Sequence, residues 1–279
     1  MNRIAHHQRL ITGLILVAVL GLALAFGGWA LRLLVLSASL LGLYEFYSFY
    51  WPGKSGIGYK ICGLLCGAGA VIGQAFSPFW VILSPAVAFC ISALAFLGSY
   101  GRGNDQARLQ DYAPLALGVI YIPLVLQLAL YLSLEEQILI MAAAIATDTG
   151  GYYAGTLFGK HKIWPRVSPK KSWEGAAGGM AACCAVCVLA GGLSLMKGWS
   201  LPALPLWLWL GAGVLLNLAA QFGDFFESAL KRTVDVKDSS SLLPGHGGLL
   251  DRVDSVLFVL PTYMLIRTAA LAWAGTAPI

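Results

Sequence analysis

Charge is what this chain has least of. Asp, Glu, Lys and Arg make up 11% of its 279 residues, while 58% are hydrophobic. A soluble domain carries roughly 25% charged residues, so a water-facing globular surface is excluded. No long polar domain interrupts the apolar segments either. A signal peptide needs a small-residue cleavage site followed by a polar mature chain. The first apolar run, from Leu10 to about Phe26, is followed instead by more apolar sequence, so it is expected to be retained as a helix.

Paired metal-ligand cysteines are also lacking. Cys62, Cys66, Cys90, Cys183, Cys184 and Cys187 all sit in apolar stretches, and the Cys184-x-x-Cys187 pair has no second ligand pair near it in sequence. A zinc site needs about four ligands. Neither zinc nor a disulfide framework is expected, and these residues read as small side chains at helix–helix contacts. No internal repeat is found, which argues against an inverted-repeat transporter.

What the chain does have is apolar segments of membrane-spanning length, about 20 residues each. Nine run near 10–27, 30–50, 57–75, 79–99, 112–132, 136–158, 174–196, 203–230 and 252–274. The expectation is an all-α polytopic membrane protein of about nine transmembrane helices. Gly27-Gly28-Trp29 forms a tight hairpin between the first two. Residues 1–135 read as N-terminal transmembrane helices, a scaffold with possible lipid entry; residues 136–279 read as a catalytic region with two polar loops. Inside loops of membrane proteins carry an excess of Lys and Arg. With the N-terminus in the cytosol, fifteen of the eighteen Lys and Arg residues fall inside; Arg32, Lys197 and Arg267 fall outside. The fifteen include Arg3 and Arg9. An eight- or ten-helix count would put one of the two richest loops on the wrong side.

The unusual residues gather in two regions. The first carries Asp148 in Thr147-Asp148-Thr149-Gly150-Gly151, then Gly159-Lys160-His161-Lys162, then Ser168-Pro169-Lys170-Lys171-Ser172-Trp173-Glu174-Gly175. Asp148 lies inside an apolar segment, where a carboxylate left without a partner would cost several kcal/mol. An ion pair locking two helices is one reading, and a functional carboxylate lining a polar cavity is the better one. Ser172 is placed to cap a helix starting near Trp173. Hydroxyl, ammoniums and helix N-terminus together suit a phosphate.

In the second region, Asn217, Gln221, Asp224, Ser228 and Lys231 recur at helical spacing and form one polar stripe, with Glu227 just off it. Asp224 is the expected metal ligand of that stripe. The sequence then continues Lys231-Arg232, Lys237-Asp238 and Pro244-Gly245-His246-Gly247-Gly248-Leu249-Leu250-Asp251-Arg252-Val253-Asp254. The glycines let backbone approach a ligand closely. They precede a helix whose terminal amides favour an anion, and Asp251 and Asp254 share a face of it. Carboxylates mixed with cations suit nucleotidyl transfer, in which Mg²⁺ binds through one or two carboxylates plus substrate phosphates. Cations then neutralise the triphosphate. His246 reads as a hydrogen-bonding residue rather than a base, and His6, His7 and His161 as surface residues near lipid headgroups.

Ser228, Lys231, Arg232, Lys237, Asp238, Pro244, His246, Gly247, Gly248, Asp251, Arg252 and Asp254 resemble, without departure, the signature of the phosphatidate cytidylyltransferases, also called CDP-diacylglycerol synthases. Ser168-Pro169-Lys170-Lys171-x-Trp173-Glu174-Gly175 resembles the family too, with Ser172 where threonine is commoner. The N-terminal half is similar only in hydrophobic character and in Arg9-Leu10-Ile11-Thr12. The resemblance implies attack of a phosphatidic acid phosphate oxygen on the α-phosphorus of CTP, giving CDP-diacylglycerol and pyrophosphate. It implies Mg²⁺, an accessory monovalent cation such as K⁺, and a homodimer in the bacterial cytoplasmic membrane whose site faces the cytosol. Asp224, Asp251, Lys171, Ser228, Lys231 and Arg232 are the expected catalytic residues. Ser168, Lys170, Lys171, Ser172, Lys237, His246, Gly247, Gly248, Arg252 and Asp148 are the expected substrate contacts, and Asp224, Asp251 and Asp254 the metal ligands. No nucleic-acid partner is expected. The alternatives are a CTP-dependent lipid kinase and an ion-coupled transporter; the Asp-Gly-x-x-Ala-Arg element of CDP-alcohol phosphatidyltransferases is absent.

The charge asymmetry generates a prediction. Single cysteines at positions 166 and 240, in a cysteine-free background, are expected to react only with reagents admitted to the cytosolic side. Labelling from the periplasmic side alone would overturn the topology.

Overall fold

A computed structural model describes residues 3–54, 56–196, 199–202 and 204–273, with side chains from residue 10 onward. Lys197, the side chains of Arg3, His6, His7 and Arg9, and the segment bounds 203 and 274 lie outside what is described. The described residues are helical, without a strand. The order is α1 (Arg3–Phe26), α2 (Gly28–Tyr50), α3 (Ile57–Gly73), α4 (Phe79–Tyr100), α5 (Pro114–Tyr121), α6 (Pro123–Leu126), α7 (Leu134–Phe158), α8 (Trp173–Ser194), α9 (Leu206–Thr233) and α10 (Leu250–Trp273). Six stretches are long and apolar enough to cross a membrane, and Leu10–Phe26 and Ile57–Gly73 are shorter apolar helices. With α7, these account for the nine segments. One of them is not a continuous helix. Pro123 has no N–H to donate and its ring crowds the preceding turn, so 112–132 divides into α5, α6 and a 3₁₀ stretch from Gln127 to Tyr131. The α1–α2 hairpin turns on Gly27 and Gly28 at φ 57° and 46°.

The chain divides into two compact units. The first is Met1–Leu130 with Asp238–Arg252, and the second is Tyr131–Lys237 with Val253–Ile279. In the first, α3 packs on α2 and α4, and α5 packs on all three. Tyr47 is the centre of that packing, at 0% exposure. Its hydroxyl donates to the Leu115 carbonyl at 2.8 Å, and its ring lies against Gly63 and Gly118, where any side chain would collide with it. An aromatic row continues from Tyr47 to Trp51, Tyr59 and Tyr112, each step 5.5 Å between ring centres. Lys60, buried beside it, donates to Ser48 Oγ at 3.2 Å and the Gly53 carbonyl at 3.3 Å.

In the second unit, α8 packs between α7 and α9. Lipid-embedded helices gain little from hydrophobic burial and associate through close backbone approach. Small residues allow that approach here. A Cβ at Gly150 would stand 2.6 Å from the Gly178 carbonyl oxygen, and one at Gly179 would stand 2.6 Å from that of Thr147. Gly213 of α9 rests on the backbone of Cys184, whose thiol points at the Leu210 carbonyl at 3.8 Å. All six cysteines are free thiols, and Cys184 does serve as a helix-contact residue. Glu136 completes the unit. It closes a capping box with Ser133 at the start of α7, and it accepts from Tyr263 at 3.1 Å and Arg267 at 2.8 Å.

Removing only the Tyr47 hydroxyl deletes its hydrogen bond to the Leu115 carbonyl, a loss of about 1 kcal/mol. Removing the ring leaves a cavity costing about 3–5 kcal/mol. Thermal unfolding in detergent is therefore expected to rank wild type above Tyr47→Phe, and Tyr47→Phe well above Tyr47→Ala.

Candidate active site

Helices α7, α8 and α9 and the loop from residue 159 to 172 enclose a cavity of about 330 Å³. Thr147, Asp148, Gly151, Tyr152, Gly155 and Thr156 line it from α7, and Lys170, Lys171, Ser172, Gly175 and Ala176 from the loop and the start of α8. Gln221 and Asp224 reach it from α9. Two acidic and two basic side chains thus meet in one pocket.

Local sequence explains why the loop holds its shape. Ser172, in extended backbone, caps α8 by accepting from the Gly175 amide at 3.2 Å, as its spacing predicts. Glu174, in the first turn, accepts from the Lys160 and His161 amides, both at 3.2 Å, and meets His161 Nδ1 at 2.6 Å. The Trp173 amide donates to the His161 carbonyl at 2.9 Å, and Ile163 to Lys171 at 3.3 Å. The two ends of the loop are clasped together. His161, read from sequence as a headgroup residue, is exposed as expected but belongs to this clasp.

The clasp delivers Lys171. Its ammonium forms an ion pair with Asp224 and stands 4.2 Å over the Phe225 ring, which also forms a T-shaped pair with Trp164, ring centres 4.8 Å apart. A cation over an aromatic face is attracted by the ring quadrupole, so Phe225 holds Lys171 toward the carboxylate. The polar stripe of α9 is satisfied by its neighbours. Asn217 Nδ2 donates to Thr147 Oγ1 at 3.2 Å, and Gln221 Nε2 to Asn217 Oδ1 at 2.6 Å and the Ala176 carbonyl at 3.3 Å. Ser228 Oγ donates to Asp224 Oδ1 at 3.4 Å. Asp254 of α10 is half-buried within electrostatic reach of Asp224, Asp148 and Lys171; Gly223 lies against its backbone.

Not every expected residue lines this cavity. Lys231 pairs with Glu227, which is fully buried. Arg232 is exposed and donates to the Val167 carbonyl at 3.4 Å and that of Val236 at 3.2 Å. Ser168 is half-buried and Lys237 exposed, and neither lines the pocket.

A second polar cluster lies in the first unit and includes the glycine-rich motif. Gly245 and Gly247 adopt φ 75° and 77°, which glycine alone adopts freely. The Leu243 amide donates to Gly247 at 2.9 Å and that of His246 to Leu243 at 2.8 Å, while Arg252 Nε donates to the His246 carbonyl at 3.1 Å. Thr12 Oγ1 of α1 donates to the Pro244 carbonyl at 3.2 Å. Asp251 Oδ2 accepts from the Ser239 amide at 2.9 Å, Ser239 Oγ at 3.0 Å and the Gly248 amide at 2.7 Å.

Here the structure corrects two expectations. The anion at the start of α10 belongs to the chain itself. Glu45 of α2, 2% exposed, accepts from the Leu249 and Leu250 amides at 2.9 and 2.8 Å and from Ser239 and Ser240 hydroxyls at 2.9 and 2.6 Å. The close neighbours that require glycine are also internal. A Cβ on Gly248 would stand 2.6 Å from Glu45 Oε2, and one on Gly247 would stand 2.6 Å from Asp251 Oδ2. Sequence reasoning missed Glu45, although a lone carboxylate in a membrane helix is itself a signal. Among the described residues, no three His, Cys, Asp or Glu side chains form a ready-made metal cage. Mg²⁺ commonly takes only one or two carboxylates plus substrate phosphates.

A model of the cytidylyltransferase family matches residues 7–269. A protein of Staphylococcus saprophyticus named phosphatidate cytidylyltransferase is 48% identical over 115 residues, 41% of this chain and 42% of the relative. One of the same name in Bacillus subtilis is 47% identical over 116 residues, 42% of this chain and 41% of the relative. The matched stretch thus spans about two fifths of the length of these relatives.

Gly248→Ala would push a methyl group into the Glu45 carboxylate. Overpacking of this kind costs typically about 1–3 kcal/mol, and a lowered unfolding midpoint is expected. Gly192→Ala, where nothing lies within 4 Å, is the control and is expected to leave the midpoint unchanged or raise it.

Proposed function

The chain belongs to the cytidylyltransferase family, and from that premise we propose that it transfers a cytidylyl group from CTP to phosphatidic acid. The products are CDP-diacylglycerol, for phospholipid synthesis, and pyrophosphate. One observation carries this reading: Asp148, Asp224, Lys170 and Lys171 line a single cavity at the capped N-terminus of α8. Cations and backbone amides suit a triphosphate, and carboxylates suit the divalent ion that accompanies it. Neither set is needed alone.

The steps follow from the residues. Lys170 and Lys171 bind phosphate oxygens as point charges. Phosphate competes with Asp224 for the Lys171 ammonium, so nucleotide binding frees the carboxylate as a charge for the metal. The lipid phosphate is already ionised near neutral pH, so its oxygen attacks the α-phosphorus without a general base, and His246 acts as a hydrogen-bonding residue. Lys171 also offsets charge that grows on the departing pyrophosphate.

The donor set of the cavity fits Mg²⁺. The Asp224 and Asp148 carboxylates and the Thr147 and Gln221 oxygens are hard ligands. We assign Asp224 as the principal ligand, with Asp254 in support or on an accessory monovalent cation such as K⁺. When bound, Mg²⁺ would align the triphosphate and neutralise its charge. Asp251 is proposed as a further metal-binding carboxylate on the strength of its motif. Lys231, Arg232, Lys237 and Arg252 are proposed as additional cationic contacts, and Ser228 as a hydroxyl that orients Asp224. The bacterial relatives and the charge asymmetry support a cytoplasmic-membrane enzyme whose polar loops face the cytosol, and a homodimer is proposed with it.

Purified protein supplied with phosphatidic acid, CTP and Mg²⁺ is expected to release pyrophosphate in step with CDP-diacylglycerol. Release of CDP with a phosphorylated lipid would assign a lipid kinase instead. Asp224→Asn is expected to lower turnover by at least 100-fold, about 2.7 kcal/mol of transition-state stabilisation, with little rescue by extra Mg²⁺. Lys171→Ala is expected to lower it at least tenfold, about 1.4 kcal/mol. If Asp224→Asn keeps most of its activity at limiting Mg²⁺, the metal assignment passes to Asp148.

A further inference from the structure

Glu45 accepts four hydrogen bonds, and their donors have one thing in common. Ser239 and Ser240 hydroxyls and the Leu249 and Leu250 amides all belong to the segment from 238 to 252. None of these donors carries a charge. A buried carboxylate without a cationic partner is costly unless hydrogen bonds compensate for lost water. Four such bonds at the start of a helix, where the dipole favours an anion, provide that compensation.

Ser239 links Glu45 to Asp251. Its Oγ stands 2.9 Å from Glu45 Oε2 and 3.0 Å from Asp251 Oδ2. A serine hydroxyl has one proton to donate, so the two carboxylates share it. The Ser239 amide adds a second bond to Asp251 Oδ2 at 2.9 Å. The next turn continues the pattern, since the Gly248 amide donates to Asp251 and the following two amides donate to Glu45. Consecutive amides therefore grip two different carboxylates. Rotation of Asp251 would break its bonds to Ser239 and to the Gly248 amide, and Ser239 is itself held by Glu45.

We propose that Glu45 is a positioning residue for Asp251, acting through Ser239. It touches no reacting atom, and its work is to fix which oxygen of Asp251 turns into the loop and to hold the 238–252 segment in one conformation. Gly248 is then required because a side chain there would collide with the Ser239 hydroxyl and with the Glu45 carboxylate behind it. The proposal rests on the reading of Asp251 as a catalytic carboxylate in cytidylyl transfer.

The test uses the full chain in lipid nanodiscs, with Glu45→Gln, Ser239→Ala, their double variant and Asp251→Asn. Glu45→Gln and Ser239→Ala are each expected to lower kcat at least tenfold while KM for CTP stays within threefold. The double variant is expected to be no worse than the more damaging single change, as for groups acting in series. A readout independent of activity accompanies these. A cysteine replacing the exposed Ser241, in a cysteine-free background, is expected to react with maleimide several-fold faster when Glu45 is replaced by Gln. If Asp251→Asn is inactive while both single variants keep kcat within twofold and labelling is unchanged, positioning is overturned and the catalytic reading stands. If Asp251→Asn itself stays active, the catalytic reading of Asp251 fails and the proposal with it. Should Glu45→Gln not fold, Ser239→Ala decides alone, and kcat within twofold of wild type overturns the proposal.

Discussion

Lys171 and Asp224 meet half-exposed in a polar cavity set among apolar helices, and each offsets the cost of bringing the other's charge there. The same constraint recurs through the chain. Glu227 is paired with Lys231, Glu136 with Arg267 and Tyr263, and Glu45 with four neutral donors. With so little charge to spend, each buried carboxylate organises the segment around it. Glu136 ties the start of α7 to α10, Glu45 ties α2 to the 238–252 segment, and Asp224 draws the 159–172 loop onto α9. The helices supply a frame, and matched charges set the loops upon it.

Glycine does the complementary work. Along α7 and α8, small residues bring two backbones together so closely that Thr147 and Asn217 can hydrogen-bond within the bundle. In the 238–252 segment, glycine serves a different purpose, leaving room for carboxylates that must approach the backbone. Both uses look alike in sequence. Only the neighbours distinguish helix packing from a seat for a charged side chain.

Much of this was legible beforehand because the signals were local or strongly periodic. Length and apolarity located the helices, Gly27 and Gly28 marked their hairpin, and Ser172 announced a cap that the structure contains. The stripe from Asn217 to Lys231 followed from helical spacing, and a polar cavity beside Asp148 from the cost of leaving charge unmatched in lipid. What escaped depended on distant pairing. Glu45 lies far along the chain from the amides it binds, so no spacing rule connects them. The break at Pro123 was missed because hydrophobicity alone masked a missing donor. Glu174 escaped because its partners, the 160 and 161 amides, become neighbours only when the loop closes.

The central chemical claim concerns which phosphorus of CTP ends in the lipid. Phosphatidic acid can be incubated with the purified protein, Mg²⁺ and CTP labelled at either the α- or the γ-phosphorus, and the lipid extracted. Cytidylyl transfer requires label from the α position in the lipid, in a one-to-one ratio with pyrophosphate released, and none from the γ position. Label from the γ position in the lipid, or no CTP-derived phosphorus there at all, would contradict it.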